Sequence, residues 1–134
     1  MTIRERKRLL IVDNNDRDCA AVAELVRSVG YEVLSTWSGR EALKLLAVDQ
    51  FDLVLVDSFV ADMYVCEFLE LVSRLTARPT IALTSGGQSR AAKRDLTLRK
   101  YPVFDKRKPV ELVQALGMAY LEEVPVNASC AYVG

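Results

Sequence analysis

A chain of 134 residues, 51% hydrophobic and with no formal net charge, is sized for one domain that buries a core without disulfide or metal staples. It contains no histidine, which excludes Ser-His-Asp and Cys-His catalysis and the usual histidine-bearing zinc sites on this chain. Balanced charge creates no strong nucleic-acid field, Cys19, Cys66 and Cys130 lack metal spacing and are odd in number, and no apolar run approaches bilayer length.

The charged start, Met1-Thr2-Ile3-Arg4-Glu5-Arg6-Lys7-Arg8, lacks the apolar core and cleavage site of a signal peptide, so a cytoplasmic protein with no membrane partner is expected. Leu9 to Val12 reads as a first strand with Asp13-Asn14-Asn15-Asp16 at its carboxyl end. From Asp16, the spacing of Val22, Leu25, Val26 and Val29 predicts a helix stopped by Gly30. Tyr31 to Ser35 is a second strand, and Ser38 caps a helix running to Gln50 with Ala42, Leu43, Leu46 and Ala47 on one face. Leu53-Val54-Leu55-Val56 is too short for a helix and reads as a strand buried on both faces, ended by Asp57. Phe68, Leu71, Val72 and Leu75 define a third helix, and Thr80 to Thr84 a fourth strand entered through Pro79. A loop from Ser85 leads to a basic helix around Arg90 to Leu98. Val103-Phe104 marks a fifth strand, and Leu112, Leu116, Ala119 and Leu121 a last helix after Pro109.

Strand and helix alternate five times, which predicts an α/β fold with a doubly wound parallel sheet. Residues 1–124 are expected to form the domain and 125–134 a loose tail. In such a sheet, ligands bind at the carboxyl ends of the strands. Asp13-Asn14, Asp57, Thr84-Ser85 and Lys108 all fall there. Gathered carboxylates repel unless a cation lies between them, and oxygen-only ligands of this kind suit Mg²⁺. A hydroxyl and an ammonium beside a carboxylate are what a phosphoryl group on that carboxylate requires. Taken singly, each of these residues is ordinary; their joint placement is the signal.

From about Arg8 to Glu123 the chain resembles the receiver domain of two-component response regulators. The resemblance rests on Leu9-Leu10-Ile11-Val12-Asp13, on Gly39-Arg40-Glu41-Ala42-Leu43 followed by Phe51-Asp52-Leu53-Val54-Leu55-Val56-Asp57, on Pro79 to Thr84, and on Lys108-Pro109. It implies the flavodoxin-like fold, with five strands in the order 2-1-3-4-5 and five helices. It also implies Mg²⁺-assisted transfer of a phosphoryl group from a histidine kinase or histidine phosphotransfer protein to Asp57, making the chain a signalling module rather than an enzyme. Thr84 would hydrogen-bond the phosphoryl group and Lys108 pair with it. Asp13, Asn14, Asp57 and the Phe59 backbone carbonyl would hold the metal. The family's Lys-Pro peptide is usually cis, which implies the same for Lys108-Pro109.

The departures from the family pattern are equally specific. Asn14 replaces the second acidic residue, so weaker Mg²⁺ binding is expected, with Asp16 the nearest substitute ligand and otherwise a helix cap. Val60-Ala61 and Met63-Tyr64-Val65 replace the family's Met-Pro and Met-Asp-Gly, which leaves the loop's course unspecified. Phe59 is bulky where the family tunes water access, implying a long-lived phosphoryl group. Asp105 stands at the aromatic switch position, and neighbouring Phe104 should face the other side of the sheet. These losses keep a second reading open, a degenerate receiver that binds proteins without phosphorylation.

The basic residues from Arg90 to Lys108 suggest a homodimer contact or an acidic protein partner through the family's output face, with no direct DNA binding. No output domain is expected to follow, a reading that fits a stand-alone receiver or an excised domain. A flavodoxin-like cofactor binder would want a hydroxyl- and glycine-rich loop where Asp13-Asn14-Asn15-Asp16 stands. An aspartyl-nucleophile phosphatase would want an aspartate where Phe59 stands.

Overall fold

The computed structural model describes residues 7–76, 80–84 and 101–122. Strands β1 (Arg8–Val12), β2 (Glu32–Thr36), β3 (Leu53–Asp57), β4 (Thr80–Thr84) and β5 (Val103–Asp105) form one parallel sheet in the order β2-β1-β3-β4-β5. Helices α1 (Asp16–Ser28), α2 (Gly39–Val48), α3 (Val65–Leu75) and α4 (Pro109–Glu122) connect and cover it. The helix expected around Arg90 to Leu98 and the expected tail lie outside the described residues.

Alternation along the strands divides the core in two. Leu9, Ile11, Leu53, Leu55 and Phe104 pack with Val22, Val26, Leu112 and Leu116 of α1 and α4. Leu10, Val12, Val54, Val56 and Val103 pack with Ala42 and Leu46 of α2 and Phe68, Leu69 and Val72 of α3. All five residues of β3 are buried, as a strand covered on both faces requires. Truncating a core side chain such as Leu55 to alanine costs about 2–5 kcal/mol, so this layering fixes the strand ends firmly.

Local chemistry sets the boundaries. Asn15 caps α1, accepting the Asp18 N–H at 3.0 Å, whereas Asp16 was the expected cap; Asp16 instead opens the helix, where its charge meets the positive end of the dipole. Gly30, at φ 114°, takes the left-handed conformation that ends α1 cheaply. Ser38 caps α2 as expected, its Oγ accepting the Glu41 N–H at 3.1 Å, but the helix stops at Val48 rather than Gln50. β3 extends through Asp57, so this carboxylate belongs to the strand itself. The Lys108-Pro109 peptide, expected cis, is trans.

Candidate functional site

Parallel register brings the chemistry together at the carboxyl edge of the sheet. Val12 pairs with Val56, Asp57 with Leu83, and Leu83 with Phe104. Asp13, the first residue beyond β1, and Asp57, the last of β3, therefore lie side by side. Both are buried, at 2% and 4% exposure. The Asp13 backbone N–H donates to the Thr36 carbonyl at 3.0 Å, and Asp13 Oδ1 accepts the Asn15 N–H at 3.0 Å. Thr84 ends β4 opposite Asp105; its side chain lies outside the described residues.

The lysine in this pocket is Lys106, not Lys108. Its Nζ lies 2.9 Å from Asp13 Oδ2, 3.0 Å from Asp18 Oδ2 and 3.5 Å from Asp57 Oδ2, and its side chain is only 6% exposed. The turn after β5 explains this placement. Asp105 accepts the Arg107 N–H on its side chain at 2.8 Å and the Lys108 N–H on its carbonyl at 2.9 Å, an Asx-type reversal. The chain turns immediately after the strand, leaving Lys106 over the pocket and carrying Lys108 to the surface at the mouth of α4. The strand-end pattern carried this information, since Lys106 is the first residue beyond β5. The Lys-Pro pair lies two residues beyond it, past the turn.

Burial pushes Asp57 up to about 6; the Asp13 charge adds to the rise, while the Lys106 ammonium and the Phe59 N–H oppose it. Burial works against the Lys106 ammonium, but hydrogen bonds to Asp13 and Asp18 and the Asp57 charge outweigh it and hold the group above its ordinary value. Among the described residues, the buried atoms Asp57 Oδ1 and Ser58 Oγ have no hydrogen-bond partner. A buried carboxylate with one oxygen open and the other facing an ammonium is poised to accept a new ligand or bond.

The loop after β3 is held without the family's proline and glycine. Asp62 accepts hydrogen bonds from Ser38 Oγ (3.0 Å), the Gly39 N–H (2.8 Å) and the Arg40 N–H (3.1 Å), seating its carboxylate on the N-terminus of α2. Burial opposes the Asp62 charge, but these donors outweigh it and hold the carboxyl below its usual range. A Cβ at Gly39 would lie 3.0 Å from Val60 Cγ1 and 3.1 Å from Met63 Cγ, so glycine is what allows the loop to close on the helix. Phe59 is 58% exposed and Tyr64 83%, and both border an open cavity of about 620 Å³. Nothing in the linear pattern marked Asp62 as a clamp, because its partners lie more than twenty residues away.

Beyond the pocket, Asp105 is half-buried and bound to Arg107, whose guanidinium holds it below the usual carboxylate range. Phe104 is buried against α1 and α4 on the other face, as the alternation predicts. Of the expected basic face, Lys106 is turned inward, Arg107 is paired with Asp105, and Lys108 is exposed; Arg90 to Lys100 lie outside the described residues.

Asn14 and Asp16 are exposed on the rim. Among the described residues, no group of three or more acidic or cysteine side chains forms a metal cluster. Mg²⁺, however, is commonly held by one or two carboxylates and several waters. Asp13 and Asp57 supply those two carboxylates, with Asp57 Oδ1 open and Asp13 Oδ2 shared with Lys106. The donor set fits a weakly held, largely hydrated cation.

A family model, the response regulator receiver domain, matches residues 9–117. The chain is 23% identical over 124 residues to the transcriptional regulatory protein CrdR of Helicobacter pylori, covering 91% of this chain and 58% of that protein. It is 37% identical over 93 residues to the two-component response regulator ORR24 of Oryza sativa subsp. indica, covering 67% of this chain but only 15% of the relative. Among solved structures, a CheY-like receiver domain protein from Methanospirillum hungatei superposes with a TM-score of 0.72 at 22% identity, covering 89% of this chain and 99% of that one. The chain thus spans less than two thirds of these two curated relatives while matching a whole solved receiver in fold. With the family model covering most of its length, the chain belongs to the response regulator receiver domain family.

Proposed function

We propose that this receiver accepts a phosphoryl group on Asp57 from the phosphohistidine of a partner histidine kinase or phosphotransfer protein, and relays the state through protein contacts. The observation that carries this reading is the Asp57 carboxylate itself, buried at the sheet edge with Oδ1 unpartnered among the described residues and the Lys106 ammonium 3.5 Å from Oδ2. An Asp57 oxygen attacks phosphorus, the P–N bond of the donor breaks, and the departing imidazole takes up a proton, leaving an acyl phosphate. With its pKa near 6, Asp57 is largely ionised at neutral pH and more basic than an ordinary aspartate. Lys106 takes the charge-pairing role expected of Lys108, and Thr84 at the end of β4 is the proposed hydroxyl partner. Mg²⁺ would be held by Asp13 and Asp57, with Asn14 and the Phe59 carbonyl as further ligands, and supplies neutralisation of phosphoryl charge when bound.

One observation favours the second reading, a receiver that binds partners without phosphorylation. Asp13 Oδ2 is already bonded to Lys106, while Asn14 contributes no carboxylate, so the pocket holds a cation of its own. Acetyl phosphate with Mg²⁺, followed by intact mass, separates the two. Phosphoryl acceptance predicts one adduct per chain that is absent in Asp57→Asn. No adduct and no response to beryllofluoride would leave the binding module.

A further inference from the structure

We propose that Asp18 is a positioning residue that sets where the Lys106 ammonium stands relative to Asp57. An ammonium has three N–H donors. Two lie at hydrogen-bond distance from Asp13 (2.9 Å) and Asp18 (3.0 Å), and the approach to Asp57 is a looser 3.5 Å. Asp13 and Asp57 are fixed by the sheet, so the lateral pull on Lys106 comes from α1.

The first turn of α1 leaves Asp18 free for this task. Its N–H is fixed by the Asn15 cap at 3.0 Å. In a capping box the residue at this position turns its side chain back to the N–H of the cap. Here the Asn15 N–H is already taken by Asp13 Oδ1 at 3.0 Å. The Asp18 carboxylate therefore reaches across to Lys106 instead. Asp13 fills two roles, closing the cap and binding the lysine, and Asp18 completes the ring of contacts. Drawn toward α1, Lys106 faces Asp57 as a nearby charge without closing tightly on its carboxylate. It can then move onto a phosphoryl oxygen by releasing Asp18. This last step rests on phosphoryl acceptance at Asp57; the placement of Lys106 does not.

The test compares wild type, Asp18→Asn and Asp18→Glu by ¹⁵N–¹H spectroscopy of the lysine ammonium and by the rate of acetyl phosphate labelling with Mg²⁺. A slowly exchanging Lys106 signal is expected in wild type, assigned by its loss in Lys106→Arg. In Asp18→Asn its hydrogen exchange should quicken several-fold, and labelling should slow about three- to ten-fold, with an unchanged melting temperature and partial recovery of both in Asp18→Glu. An unchanged ammonium signal and labelling rate in Asp18→Asn would overturn the positioning role. A signal that responds to Asp18 in a protein that never takes up phosphate would uphold the positioning role and reject acceptance at Asp57.

Discussion

The two ends of β3 carry the same kinds of residue and use them oppositely. At the amino end, the Arg8 N–H donates to Asp52 Oδ2 and the Asp52 N–H returns a bond to the Arg8 carbonyl, each at 2.8 Å. The Arg8 guanidinium bonds Asp49 and the Gln50 carbonyl and lies over the Phe51 ring, 4.8 Å from its centre. These charges are partly in water, and the Arg8 hydrogen bond holds the Asp49 carboxyl below its ordinary value. At the carboxyl end the cation is buried, Asp13 and Asp57 are buried, one Asp57 oxygen has no partner among the described residues, and Asp57 is pushed up. The first arrangement ties β1 to β3. The second concentrates unfavourable charge where a new bond could relieve it, which marks a functional site rather than a staple.

Removing the cation at each end should separate the two most strongly. Lys106→Met leaves Asp13 and Asp57 buried together without the counter-charge that Lys106 supplies, and a loss of about 3–5 kcal/mol at pH 7 is expected from urea unfolding. The loss should shrink at pH 5, where Asp57 takes up a proton. Arg8→Met removes a partly solvated partner and should cost within about 1 kcal/mol. Equal losses at both ends would erase the distinction.

Asp57→Asn sharpens the contrast in the opposite direction. Because the folded-state pKa is raised to about 6, the Asp57 carboxyl stabilises the fold while protonated, and that contribution is lost as pH rises from about 4 through 6. The asparagine variant should therefore be more stable than wild type above pH 6, by about 1–2 kcal/mol after allowance for solvent screening, with the gap closing toward pH 4. Melting temperatures across pH 4–8 read this directly. An Asp49→Asn comparison should show no such gain at neutral pH, since that carboxyl is stabilised in its charged form.

How far the sequence discloses these ends depends on how local their causes are. The aliphatic runs of β1 and β3 reveal themselves because strands covered on both faces must be apolar throughout. Asp13 and Asp57 follow, since a carboxylate closing such a run has few structural reasons to be there. Ser38 is legible because capping is decided within three residues. Lys106 is not, because its place depends on a turn made by Asp105, and a neighbouring Lys-Pro pair offers a stronger but misleading pattern. Asp18 reads as an ordinary first-turn acid, since its partner is 88 residues away. Asp62 escapes notice because the loop that carries it departs from the family pattern at the residues that would have predicted its path.

Asp62 also shows that a carboxylate at the functional end can behave like those at the other. Its three donors leave it fully engaged, so Asp62→Ala should remove a helix cap and cost about 1 kcal/mol at pH 7. Since burial opposes its charge but the donors prevail, that contribution is present at neutral pH and lost as pH falls below the ordinary carboxylate range. Urea unfolding at pH 7 and pH 3 should show the effect shrinking with acid, the reverse of the Asp57 trend.

The smallest expected effect belongs to Lys108, and it tests the placement of the pocket lysine most economically. Lys108 lies at the surface after the turn, with its backbone N–H bonded to the Asp105 carbonyl and its side chain exposed. Lys108→Ala retains that backbone bond, so stability should stay within about 0.5 kcal/mol of wild type. Labelling of Asp57 by acetyl phosphate should change less than twofold, whereas Lys106→Ala should slow it at least tenfold. A large loss in Lys108→Ala with a small one in Lys106→Ala would mean that the working lysine enters from beyond the turn, and that the ammonium between Asp13 and Asp57 belongs to the resting fold alone.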